Sequence, residues 1–306
     1  MAYRENMGKS AEHNTTENLK IVTSMLIFGT IGLVRRNIPY SSAMIAFFRG
    51  AIAALILLAL RLILHRGIDR SHDLSLDESK KTAIKRNILP LSISGAMIGI
   101  NWILLFEAYR FTTIAVATIS YYMAPVFTII ASIFMLKEKL TTRKAICVAA
   151  ALTGMVFVSG VLETGISGIK GVLLGLGAAL LYSDVVILNK KIDGVDGIDR
   201  TIIQMGAAAI AVLPYWLINE DFSSIIISTE PVLLLLTAAV ICTAIPYSLY
   251  FSAIQKIPAQ TAAILSYIDP VVAVLISALL LKEGMSLLTL TGVVLVMGAA
   301  MISETS

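Results

Sequence analysis

Charge is scarce in this chain. Only 14% of its 306 residues are Asp, Glu, Lys or Arg, whereas 57% are hydrophobic and the mean hydropathy is +0.85. A soluble domain carries roughly a quarter charged residues, so a water-exposed globular fold is excluded. Cysteine is scarcer: Cys147 and Cys242 both lie inside apolar runs, which excludes a disulfide framework and leaves them as small core hydrophobes. The three histidines, His13, His65 and His72, fall in terminal or loop sequence without metal-ligand spacing, so no metal and no cofactor is expected. No G-x-x-x-x-G-K-[ST] phosphate loop is present, which argues against ATP hydrolysis within the chain. The ten-residue apolar–polar alternation of outer-membrane strands is also missing. The polar first twenty residues offer neither an early apolar core nor a small-residue cleavage site, so no removable signal peptide is expected.

What is present is a series of apolar runs near the roughly 20 residues that a helix needs to cross a bilayer. They read as spans 19–37, 40–63, 87–108, 112–136, 145–162, 169–190, 198–218, 231–254, 259–281 and 285–303. The fold class is therefore all-α integral membrane, with ten transmembrane helices. The connection 64–86 is long, charged with both signs and partly helical on the surface. With the N-terminus in the cytoplasm, eighteen Lys and Arg lie on that side and five on the other, with Arg49 left inside a span. Lys and Arg are retained on the cytoplasmic side, so both termini are expected there, in the cytoplasmic (inner) membrane. The basic balance then serves orientation and anionic headgroups of the bilayer, not nucleic acid.

The chain also repeats itself. Ala108 to Glu138 returns, 145 residues on and without a gap, as Ala253 to Glu283, with ten of thirty-one positions identical. The matches pair Tyr122 with Tyr267, Pro125 with Pro270 and Ser132 with Ser277, and include the closing Leu-Lys-Glu triplets. Trp102 and Phe106 fall on Tyr247 and Phe251 at the same offset. A polar terminus, 1–18, is followed by two halves, 19–162 and 163–303. Five spans in each half set the second copy upside down relative to the first, the inverted repeat of alternating-access carriers. At one position the copies differ chemically: Ala124 precedes the first proline and Asp269 the second.

These residues resemble a family. Ala-x-Arg/Gln, a run of small residues, Tyr-x-x-Pro-Val and a terminal Leu-Lys-Glu, once per half, resemble the ten-helix EamA-type branch of the drug/metabolite transporter superfamily. Phe48-Arg49-Gly50 does so too, and Phe28-Gly29 stands where such proteins often have Trp-Gly. The resemblance implies a cavity lined by the third, fourth, eighth and ninth spans, with the first and sixth contributing. It leaves the substrate open among amino acids, nucleotide sugars, sugar phosphates, amines and other metabolites.

Ionisable groups within spans are costly and mark function by default. Asp269, at the centre of the ninth span, is expected to bind a substrate amine or a coupling proton, or else to partner Arg49 or a backbone amide at the Pro270 bend. Asp184, beside Tyr182 in the sixth span, is a second candidate ligand or a satisfied ion pair. Glu107 and Arg110, three residues apart, read foremost as an interfacial pair. Arg49 reads as a structural charge that ties helices together, with substrate contact as the alternative. Asn101, Trp102, Phe106, Tyr121, Tyr122, Tyr182, Tyr247 and Tyr267 complete an expected pocket whose aromatic faces would attract cations.

The function these features point to is secondary transport, not catalysis: alternating-access movement of a small metabolite, an amino acid or related amine, as an exporter. Protons are candidate coupling ions, and the protein would act as a monomer or homodimer. An importer or exchanger, a channel-like facilitator, or an enzyme acting on lipid are the alternatives; the last would need a carboxylate cluster near the headgroups.

Overall fold

The computed structural model describes residues 2–67, 74–112, 114–158, 161–164, 168–220, 222, 228–280 and 286–304. Among them there is no strand. The helices are α1 Ala2–Gly29, α2 Ile31–Arg36, α3 Ser42–Gly67, α4 Leu74–Phe111, α5 Ile114–Tyr121, α6 Ala124–Ala131, α7 Thr142–Val158, α8 Val161–Thr164, α9 Ile169–Lys191 and α10 Gly197–Asn219. They continue as α11 Thr229–Ala239, α12 Ile245–Ala253, α13 Ala259–Leu265, α14 Ile268–Leu280 and α15 Leu287–Glu304. Wide π-type turns at Ser132–Leu136 and Val240–Ala244 extend α6 and join α11 to α12.

Among the described residues, seven segments are long and apolar enough to span a membrane: Thr15–Arg35, Ser42–Ile63, Glu78–Phe111, Val116–Leu136, Ile169–Lys191, Gly197–Asn219 and Thr229–Ala253. Three expected spans coincide with α7, the α13–α14 pair and α15, which are shorter or interrupted, so length and composition give seven where ten were expected. The charged connection expected at 64–86 is largely helical, because α3 runs on to Gly67 and α4 begins at Leu74.

Both copies of the repeat contain a broken helix. The first breaks at Tyr122–Met123 between α5 and α6, the second at Ser266–Tyr267 between α13 and α14. Pro125 and Pro270 sit in the first turns after the breaks, where a helix has no use for the missing N–H. Such discontinuous helices are the usual way a carrier exposes backbone ends near the midplane.

Packing explains why the chain can do this. α4 lies against α9 and α10, α3 against α10, and α7 against α15. Gly95 and Gly99 let α4 and α10 touch backbone to backbone: a Cβ on them would come within 2.3 Å of the Gln204 carbonyl and 2.6 Å of the Ala208 carbonyl. Beside that contact lies a buried polar cluster. Asn189 Nδ2 donates to Ser94 Oγ and to Gln204 Oε1, each at 3.0 Å, while Gln204 Nε2 returns a bond to Asn189 Oδ1 at 3.1 Å. The main apolar core, including Met25, Ile98, Trp102, Val186, Met205, Tyr247, Phe251 and Leu265, joins helices of both halves.

Candidate functional site

The breaks in α5–α6 and α13–α14 bring aromatic and charged side chains together in the middle of the bundle. Asp269, in the first turn of α14, is approached by the Tyr122 hydroxyl, and Tyr109, Tyr121 and Tyr247 lie within electrostatic reach of its carboxyl. Gly29 allows α1 to close on this point, because a Cβ there would lie 2.7 Å from the Asp269 carbonyl oxygen. Phe28 meets Tyr247 edge to face at 4.9 Å, and Tyr247 stacks on Phe251 at 5.5 Å. Tyr121 contacts the ring of Tyr122 at 5.5 Å and that of Tyr182 at 6.2 Å. Asn101 is anchored by its Nδ2 donating to the Ala178 carbonyl at 2.6 Å and neighbours the Tyr121 hydroxyl.

Arg49 completes the group from α3. Its guanidinium carbon lies 4.6 Å from the centroid of Trp102, and its Nε donates to Thr243 Oγ1 at 3.0 Å. Thr243 is positioned by the π-type turn and donates its own hydroxyl to the Ala238 carbonyl at 2.8 Å. Tyr121 meets both Tyr122 and Tyr182, the Tyr122 hydroxyl meets Asp269, and all four are half-buried, so we read the space they border as a cleft. Phe106 packs on the same core as Trp102 and Tyr247. Two other hollows lie elsewhere: about 550 Å³ beside Glu78, Arg86 and Asp193, and about 380 Å³ between α7 and α15 beside Cys147 and Gly298.

Two residues expected in the pocket, Asp184 and Tyr267, are not in the cleft. Asp184 is exposed while Ser183 and Val185 beside it are buried. It lies two residues past Tyr182, about 200° around the helix, on the outer stripe of α9 with Ile169, Leu173 and Leu180. Tyr267 is fully enclosed in a second core with Ile129, Met155 and Val296, and its hydroxyl donates to the Tyr122 carbonyl at 3.2 Å. Glu107 accepts from Arg110 at 2.9 Å and from the Tyr215 hydroxyl near the end of α4, the expected peripheral pair with one more partner. Arg49 and Asp269 form no ion pair: among the described residues no carboxylate oxygen lies within 4.0 Å of Arg49.

The sequence reading missed a clamp at one end of the bundle. The turn between α12 and α13 is gripped from three directions. Glu138, the last residue of the first Leu-Lys-Glu, accepts the backbone N–H groups of Ala259 at 2.8 Å and Gln260 at 3.2 Å. Lys190 Nζ donates to the Gln255 and Ile257 carbonyls at 3.0 and 2.6 Å, and Lys256 pairs with Glu17 at 2.8 Å. The second Leu-Lys-Glu, 281–283, lies outside the described residues.

The EamA-like transporter family matches this chain twice, over residues 15–160 and 169–305. The chain is 24% identical over 290 residues to the uncharacterized transporter YxxF of Bacillus subtilis, covering 94% of this chain and 89% of that protein. It is 27% identical over 278 residues to an uncharacterized transporter of Clostridium kluyveri, covering 88% and 84%. It is also 24% identical over 223 residues to Protein PecM of Dickeya dadantii, covering 70% and 73%. A protein solved by crystallography shares the fold with TM-score 0.77 at 17% identity, over 94% of this chain and 97% of its own.

Proposed function

The chain belongs to the EamA-like transporter family, and from that premise we propose that this multi-pass membrane transporter carries an amino acid or related amine across the cytoplasmic membrane. Transport is by alternating access of two inverted five-span halves, in the direction of export. The observation that carries the reading is the cleft at the broken helices, where Asp269 is ringed by tyrosines. A carboxyl set among tyrosines inside the span is costly unless it meets a cation or a proton, and aromatic faces favour the same ligands. The π-type turns and helix breaks on either side of the cleft supply backbone that can rearrange without unravelling a whole span.

The clamp on the 254–260 turn supports a state closed at that end, which the Lys and Arg distribution assigns to the cytoplasm. The test is uptake and counterflow of radiolabelled amino acids and amines in proteoliposomes at two pH values, with the wild type and Asp269→Asn. Saturable uptake with counterflow, both reduced at least tenfold and stripped of pH dependence by Asp269→Asn, is the expected result. Non-saturable flux without counterflow indicates a facilitator, and unaltered pH-dependent transport by Asp269→Asn contradicts the role of this carboxyl.

A further inference from the structure

Among the described residues two arginines, Arg49 and Arg200, are enclosed among the helices, and they are satisfied differently. Arg200 is 0% exposed, and all three of its guanidinium nitrogens are spent: Nε donates to the Val195 carbonyl at 2.8 Å, Nη1 to the Asn189 carbonyl at 3.0 Å, and Nη2 to the Ile192 carbonyl. Its whole fork is used to hold the end of α9 to the start of α10. Arg49 is 9% exposed and spends only Nε, on Thr243 Oγ1. Among the described residues its two terminal nitrogens have no hydrogen-bond partner, yet neither is among the enclosed atoms left without one. Each therefore keeps some exposed surface, on the side of Arg49 where Trp102, Tyr121 and Tyr247 lie. A guanidinium stays charged and carries five donors in a planar fork that matches a carboxylate through two parallel bonds.

Arg49 shares its surroundings with Asp269. Tyr121 and Tyr247 lie within electrostatic reach of both charges, although the two do not pair. The guanidinium of Arg49 lies over the ring of Trp102. A ligand that answers both charges carries an anion and a cation on one small frame.

We propose that Arg49 is a specificity-determining residue whose free fork binds the carboxylate of an α-amino acid while Asp269 holds the ammonium. This rests on the reading of the Asp269 cleft as an amine site. It assigns the substrate as a zwitterion, not a simple amine, and gives Arg49 a role beyond tying α3 to the α11–α12 turn.

The experiment measures binding to the purified full-length protein by thermal shift and calorimetry. The probes are the twenty proteinogenic L-amino acids, their carboxamides, their decarboxylated amines, and O-phosphoethanolamine. In the wild type, at least one amino acid binds ~10- to 100-fold tighter than its own amide and amine, the difference expected for a lost charge-assisted hydrogen-bonded pair. Arg49→Gln collapses that ratio to within threefold, and Arg49→Lys, which keeps the charge and loses the fork, gives an intermediate ratio.

Equal binding of an amino acid and its amide by the wild type overturns the proposal without any variant, so a misfolded Arg49→Gln does not shelter it. So does an Arg49→Gln that weakens acid and amine alike, the mark of a purely structural arginine. Preference for O-phosphoethanolamine assigns the fork to phosphate and overturns the amino-acid assignment. Amines that bind with no advantage to the carboxylate sink the role of Arg49 and leave the amine site standing. Amine-bearing probes that bind equally to the wild type and Asp269→Asn show instead that the amine reading itself has failed.

Discussion

Tyr122 and Tyr267 are mates in the repeat, each three residues before a proline, yet they stand in opposite surroundings. Tyr122 is half-buried, with its hydroxyl toward Asp269; Tyr267 is 0% exposed and gives its hydroxyl to the backbone carbonyl of Tyr122 itself. The residues two positions on are reversed. Ala124 is 2% exposed and enclosed, whereas Asp269 opens into the cleft. The repeat thus carries two helix breaks, with one tyrosine turned toward Asp269 and the other its buttress. Polarity followed exposure: the carboxyl stands only where the second copy faces the cleft.

The largest expected effect comes from forcing the copies back into symmetry. Ala124→Asp places a carboxyl in an enclosed site and should destabilise the protein by about 3 kcal/mol or more, read as lost monodisperse yield or a steep fall in Tm. A well-folded Ala124→Asp that transports normally would show that the two positions are equivalent after all. Next is the contact that joins the copies, in which Glu138 of the first holds Ala259 and Gln260 of the second. Glu138→Ala removes two charge-assisted bonds and should shift the conformational balance ~10- to 100-fold toward opening. Maleimide labelling of a single cysteine replacing Ile257, in a background lacking Cys147 and Cys242, reads that shift; an unchanged labelling rate contradicts it.

A smaller contrast separates the tyrosines. Tyr267→Phe loses one buried hydrogen bond and should lower stability by about 1 kcal/mol while leaving the pH profile of transport intact. Tyr122→Phe should leave Tm nearly unchanged and alter KM or the pH profile, and the reverse pattern would exchange their roles. The smallest effect is expected at Asp184, whose conversion to Asn should leave transport within twofold of wild type because the carboxyl points away from the cleft.

Much of this was legible in the sequence because it is periodic or repeated. Apolar runs gave the helices, the 145-residue offset gave the duplication, and Trp102, Tyr122, Tyr267 and Asp269 were singled out by depth, by the repeat and by its broken match, although Tyr267 proves to be enclosed. What was hidden depends on direction. α9 is apolar nearly all round, so nothing in its pattern tells which side Asp184 takes, and burial of its neighbours decides it. Arg200 reads as a loop charge because it begins α10, but the turn before that helix folds three carbonyls over it. The Glu138 clamp joins residues more than 120 positions apart, a contact no local pattern carries. The ninth span reads as one run bent at Pro270, and its apolar pattern does not tell that the helix is interrupted at Ser266–Tyr267, before the proline.

The most direct measurement is a side-by-side titration of one stabilising amino acid or amine against purified wild type, Asp269→Asn and Asp184→Asn. Both variants remove one intramembrane carboxyl, but only the first removes it from the cleft. The account predicts that Asp269→Asn weakens binding at least tenfold and that Asp184→Asn stays within twofold of wild type. Equal losses, or a loss confined to Asp184→Asn, would contradict it.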